Sequence, residues 1–209
     1  MSSDIRISVV IPTLGRPTLA RTLKSFIPQL RNRDEIIVVA DTAGEVYNAR
    51  RALMRQRRHL HAKYVFSHFG VGPSNEEGNG YSQREFGLRY ARGSHIVFMD
   101  DDDEYTEDAF DLFREYACDV PVIFRMEHPW LGIVWSEPVL RFGNVGTPMF
   151  IVPNKPRYLG EWKAHAVMGG KPVGGDYEFI RGSIENLGEP VWREEIVARV
   201  RPNRPEAKL

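Results

Sequence analysis

One stretch limits this chain more than any other. His95, Ile96, Val97, Phe98 and Met99 form a short apolar run, and Asp100, Asp101, Asp102, Asp103 and Glu104 follow at once. An apolar run of this length without polar alternation predicts a strand buried on both faces, as in a parallel sheet covered by helices. Five adjacent acids raise one another's pKa, and a divalent cation relieves that conflict. In open α/β sheets, ligands sit just beyond the carboxyl ends of the strands. A strand that ends in Asp-x-Asp therefore suits Mg²⁺ or Mn²⁺ with a phosphate-bearing ligand beyond it. If the backbone stays extended, Asp100 and Asp102 face one way and Asp101 and Asp103 the other. The plain alternative is a solvated acidic turn leading into a helix capped by Thr106. An EF-hand is a poor fit, because its sixth position would be Tyr105 rather than glycine.

The residues before this run predict a βαβ frame. Ile5 to Ile11 reads as a strand ended by Pro12, and Leu19, Leu23, Phe26 and Leu30 mark an amphipathic helix. Ile36 to Ala40 is a second buried strand, with Asp41 at its end. Two such strands around a helix imply parallel pairing and a right-handed crossover. Glu45 to about His61 reads as a helix with a basic face of Arg50, Arg51, Arg55, Arg57 and Arg58. Lys63 to Ser67 is a third strand, and His68 to Tyr81 a long loop. Ser82 to Glu85 has the pattern of a capping box before a helix that stops at Gly93.

The second half is less regular. A helix is expected from Thr106 to Ala117. Strands are expected at Val120 to Met126, Trp130 to Trp135, Val139 to Phe142, Met149 to Val152 and Ile196 to Val200. Arg157 to Pro172 reads as irregular, and Gly174 opens a helix that Gly188 stops.

Charge and length exclude several classes. The chain has 28 basic and 28 acidic residues among 209, so no net field argues for nucleic acid or an anionic membrane. The basic helix lacks interleaved aromatics for base stacking. Cys118 is the single cysteine, which rules out an intramolecular disulfide and a cysteine zinc site. No apolar run reaches membrane-spanning length, and the N-terminus does not read as a signal peptide. The expectation is a soluble, cytoplasmic protein.

Four segments together resemble the family-2 inverting glycosyltransferases of the GT-A fold. They are Val9 to Thr13 with Arg16 and Pro17; Glu35 to Asp41; Arg84 through Gly93 to Phe98–Asp103; and Gly174 to Phe179. The resemblance covers nearly the whole chain. It implies one GT-A domain over 1–209, with a nucleotide-sugar half at 1–105, an acceptor half at 106–200 and a tail at 201–209. It implies that Pro12, Thr13 and Arg16 line the nucleotide pocket and that Asp41 accepts a hydrogen bond from the base, most often uracil. Arg84 would approach the base or the phosphates. Asp100 and Asp101 would hold the sugar nucleotide, and Asp102 the Mn²⁺ or Mg²⁺. Asp176 is the implied general base, with Glu178 in competition. The family usually has asparagine where this chain has Glu85.

The implied reaction is inverting transfer from a nucleotide-diphosphate sugar, most often a UDP-sugar, to a hydroxyl of a carbohydrate or other acceptor. Trp130, Trp135, Tyr158, Trp162 and His165 fall in the acceptor half and suit either sugar stacking or core packing; His165 alone decides nothing about a metal. Rival readings are a nucleotidyltransferase, a non-catalytic sugar-nucleotide module and a nucleic-acid-binding domain. The turn from Pro12 to Pro17 has one glycine, too few for the glycine-rich triphosphate loop the first rival needs.

Overall fold

A computed structural model describes residues 5–56, 63–68 and 80–201. Their centre is a nine-stranded, mostly parallel sheet. Strand β1 (Ile7–Thr13) pairs in parallel with β2 (Glu35–Ala40) on one side and β4 (His95–Phe98) on the other, and β2 carries β3 (Lys63–His68). Every residue of β1, β2 and β4 is buried. This is why their sequences are continuous apolar runs rather than alternating ones. Helices α1 (Leu19–Phe26) and α2 (Ala43–Met54) make the crossovers, and α3 (Tyr81–Leu88) leads into β4. The basic helix ends sooner than expected, and Arg57, Arg58 and nearly all of the loop from His68 to Tyr81 lie outside the described residues.

Beyond β4 the sheet changes direction. Strand β5 (Glu104–Tyr105) and helix α4 (Ala109–Tyr116) precede β6 (Val122–His128), β7 (Gly132–Val134) and β8 (Phe150–Pro153). Strand β8 sits antiparallel between β4 and β6. A two-stranded hairpin, β9 (Ala166–Met168) with β10 (Lys171–Val173), stands apart from the main sheet. Helix α5 (Gly175–Leu187) then leads to β11 (Val191–Arg199), which runs parallel to β6 and antiparallel to β5.

Several local expectations are corrected. Val139 to Phe142 is not a strand, and Arg157 to Pro172 contains the hairpin. The cap of α3 is Gly80 in the left-handed conformation, φ 73°, not Ser82. Glu85 is unavailable for a capping box because its Oε1 accepts the Trp162 backbone N–H at 2.6 Å. Thr106 does not cap α4, whose N-cap is Asp108; the Thr106 hydroxyl donates instead to Ile196 O.

Two buried devices fix the frame. Asp34 accepts from the Ile7 and Arg31 N–H groups at 2.8 and 2.7 Å and from Arg114 at 2.5 Å. It ties β1 to the turn before β2 and to α4. In the second half, Phe98, Phe150, Trp162 and Phe179 form one ring cluster, with Trp162 and Phe179 centroids 4.7 Å apart. This cluster seats α5 against β4 and β8.

Candidate active site

The carboxyl ends of β1, β2 and β4 open into a cleft of about 620 Å³, within the usual size of a small-molecule site. The eight residues expected from the sequence to bind the nucleotide sugar or the metal line it: Pro12, Thr13, Arg16, Asp41, Arg84, Asp100, Asp101 and Asp102. Asp176 lines it too, from the first turn of α5.

The acidic run does not stay extended. The chain turns after Asp100, closed by Asp103 N–H donating to Asp100 O at 3.3 Å. Strict alternation is therefore lost, and Asp101 joins Asp100 and Asp102 at the cleft. Asp101 is buried and works as a staple. Its Oδ2 accepts from the Thr13 hydroxyl at 2.6 Å and the Leu14 N–H at 3.1 Å, and Arg16 Nε lies 3.4 Å from Oδ1. Burial raises its pKa, against those bonds. Asp103 points the other way, to the Arg201 N–H at 2.9 Å, and burial with Asp100 close by pushes its carboxyl up to about 8.

Guanidinium groups pair with Asp100 and Asp102, and an amide with Asp41. Arg84 is buried, pairs with Asp100 and lies 4.6 Å over the Trp162 ring. Asp102 Oδ2 has Arg16 Nη1 at 3.3 Å and Arg201 Nε at 3.4 Å. Asp41 is buried at the end of β2 and accepts from Gln83, the residue beside Arg84 on α3. Burial raises its pKa as well.

Asp176 and Glu178 separate cleanly. Glu178 is buried between His165 Nδ1 at 2.6 Å and Arg181 at 2.8 Å, which hold its pKa down, and it is absent from the cleft lining. Asp176 is half-buried, and its pKa is pushed up to about 6, chiefly by burial. The Tyr177 N–H at 2.8 Å and Arg84 oppose that rise, whereas Asp100 adds to it. Gly174, at φ 78°, starts the helix in the left-handed region, where glycine is favoured. Gly175 then passes so close to Tyr81 that a Cβ would lie 2.2 Å from the ring. Its N–H donates to the Tyr81 hydroxyl at 3.1 Å, which fixes the start of α5 against α3.

Sequence reasoning missed Gln83, Tyr81, Lys171 and Arg201, all in the lining. Gln83 and Tyr81 sit beside Arg84 on one helix, and that adjacency was a usable signal. Of the aromatics proposed for an acceptor, Trp135 and Trp162 are buried in the core, whereas Trp130 and Tyr158 are half exposed; Trp130, Trp135, Tyr158 and Trp162 do not line the cleft. Neither does His165, which faces Glu178, Phe142 and Tyr177.

A parallel sheet with acids at its carboxyl edge, continued by antiparallel strands and a helix bearing a further acid, is the GT-A architecture. Solved structures agree. S. aureus TarS 1-349 superposes with a TM-score of 0.67 at 16% identity, over 94% of this chain and 60% of that one. The same protein in complex with UDP-GlcNAc gives 0.67 at 15% over 97% and 60%. The mannosyltransferase PcManGT from Pyrobaculum calidifontis, in complex with GDP-Man and Mn²⁺, gives 0.63 at 15% over 99% and 59%. At such identities the likeness is one of fold.

The chain belongs to glycosyl transferase family 2, whose sequence profile matches residues 8–128, more than half of its length. An uncharacterized glycosyltransferase of Rickettsia conorii is 27% identical over 123 residues, which are 58% of this chain and 19% of that protein. The chain thus spans about a fifth of that relative. Among the described residues no helix is long and apolar enough to cross a membrane.

Proposed function

We propose that this chain transfers a sugar, with inversion, from a nucleoside-diphosphate donor to a hydroxyl acceptor. One observation carries the reading: four separate elements bring Asp41, Arg84, Asp100–Asp102 and Asp176 to a single cleft. Asp41, helped by Gln83, takes the nucleotide base. Pro12, Thr13 and Arg16 flank the nucleotide, and Asp101 keeps their turn closed. Asp100 faces the ribose and the donor sugar. The UDP-GlcNAc and GDP-Man complexes of fold neighbours support a nucleotide sugar in general; we propose a UDP-sugar for this chain.

A divalent metal fits the donor set in a limited way. Among the described residues no group of three acids or histidines could cage an ion. Magnesium-type sites commonly take one or two carboxylates and complete their shell from substrate phosphates and water. Asp102, with Asp100 near it in the lining, suits that mode, and a Mn²⁺ complex among the fold neighbours supports it. A bound ion would supply Lewis-acid neutralisation of the departing diphosphate.

The chain's own groups do the rest. Asp176, ionised above its raised pKa, accepts the proton of the acceptor hydroxyl as that oxygen attacks the anomeric carbon. The hydroxyl oxygen gains the sugar, the bond to the diphosphate breaks, and the electron pair leaves with the phosphate. Arg84 and Arg16 stand where that charge develops. Helix α5 offers its positive end to the ionised Asp176, which keeps it a usable base despite burial.

Replacing Asp176 by asparagine tests the assignment. Transfer is expected to fall about 10²–10⁴-fold, the usual worth of a general base, with nucleotide binding by thermal shift unchanged. Glu178→Gln should transfer normally at a temperature where the fold is intact. A dead Glu178→Gln beside an active Asp176→Asn would reverse the assignment.

A further inference from the structure

Arg201 has no part in the mechanism above, and on the sequence it belongs to a tail. The structure ties it to the acidic run. Its backbone N–H donates to Asp103 Oδ1 at 2.9 Å, its Nε lies 3.4 Å from Asp102 Oδ2, and it lines the cleft. Among the described residues it is the one non-glycine residue with positive φ, at 45°. Arginine does not choose that conformation for itself; its surroundings impose it. From the turn after β1, Arg16 reaches the same Asp102 oxygen at 3.3 Å.

We propose that Arg201, with Arg16, is a resident counter-ion for Asp102, and that Arg201 makes metal binding conditional on a nucleoside diphosphate. The inference rests on reading Asp102 as the metal's carboxylate. An ion held by Asp102 would have to share its carboxylate with both guanidiniums, which already lie at 3.3 and 3.4 Å from the same oxygen. Each is permanently charged. An ion arriving alone therefore meets two like charges in a partly enclosed cleft, where screening is weaker than in water.

A diphosphate changes the balance. It carries the opposite charge, and it offers a guanidinium paired oxygens that a shared carboxylate oxygen does not. Arg201 leaves Asp102 for the phosphate, and Asp102 becomes free for the ion. The backbone bond to Asp103 stays, so residue 201 remains at the cleft while its side chain moves. Arg201 is thus a positioning residue that acts on the donor site through Asp102. Linkage requires that the metal also tighten nucleotide binding by the same factor.

Mn²⁺ binding to the full chain, read from loss of the free-ion EPR signal beyond that in the same nucleotide without protein, tests this without catalysis. Titrations use Mn²⁺ alone, Mn²⁺ with UDP, and Mn²⁺ with GDP. Wild type should bind Mn²⁺ alone weakly and bind it more tightly with a nucleotide. Arg201→Gln should bind Mn²⁺ alone about 5- to 100-fold more tightly than wild type, the usual span of such couplings, and gain correspondingly less from the nucleotide. Arg201→Lys keeps the charge and should stay close to wild type. The Asp103 bond is made by the backbone, so both variants retain it. Equal affinities of wild type and Arg201→Gln for Mn²⁺ alone, with the nucleotide effect intact, would overturn the proposal and leave the metal reading standing. Failure of wild type to take up Mn²⁺ with either nucleotide would remove the role of Asp102 and this proposal with it.

Discussion

The two halves of this molecule hold their acids by different means. At the edge of β1, β2 and β4, each carboxylate is already engaged: Asp101 with Thr13, Leu14 and Arg16, Asp100 with Arg84, and Asp41 with Gln83. On the far side Asp176 has the Tyr177 N–H at 2.8 Å, its own backbone N–H and a helix end, and burial holds its pKa at about 6. The first arrangement is rigid and prebuilt, as suits recognition of a nucleotide. The second hydrogen-bonds its carboxylate to backbone N–H groups, as suits the base proposed above. The difference teaches that acids in one cleft can be held by different kinds of partner, while burial raises the pKa of Asp41, Asp101 and Asp176 alike.

The strongest way to break the contrast is to undo the rigid half. Asp34 is buried and supports Ile7, Arg31 and Arg114. Asp34→Ala leaves the buried Arg114 guanidinium with only the exposed Asp111 carboxylate at 3.7 Å, and should cost about 3–5 kcal/mol by urea denaturation. Loss within the error of a surface mutation would mean that the frame does not depend on this pair.

A pH profile sharpens the contrast at the softer side. As the proposed base, Asp176 must be ionised to act, so kcat/KM should be half its plateau near pH 6 and level from about one unit higher. Below its pKa of about 6 it should fall toward tenfold per unit. The sign for stability is opposite. A carboxyl whose pKa is raised on folding stabilises the fold when protonated, and that contribution is lost as pH rises through 6. Acid inactivation should therefore precede any loss of structure due to this group, and circular dichroism across the same range separates the two. A profile flat down to pH 5 would argue that Asp176 is not the base.

The smallest effect belongs to the hairpin. Val167 and Met168 are 70% and 59% exposed. Val167→Ser with Met168→Gln should change stability by no more than about 0.5 kcal/mol in the same denaturation assay. A larger loss would show that this hairpin packs more tightly than its exposure suggests.

Legibility followed the same divide. Strands β1, β2 and β4 are buried on both faces, so their apolar runs and terminal acids could be read directly from sequence. Strand β8 could be recognised but not placed, because nothing local tells an inserted antiparallel strand from a sequential one. Strands β5, β9 and β10 have two or three residues each, too few to show a period. Glu85 misled because a capping box and a long-range bond to the Trp162 N–H call for the same side chain. Arg201 gave no signal at all: its place depends on Asp102 and Asp103, about a hundred residues earlier in the chain.

The Tyr81 phenol joins the helix that carries Gln83 and Arg84 to the first residue of the helix that carries Asp176. One hydroxyl therefore sets the spacing of the two helices across the cleft, with no loop between them, and the long segment from β6 to the hairpin lies outside that connection.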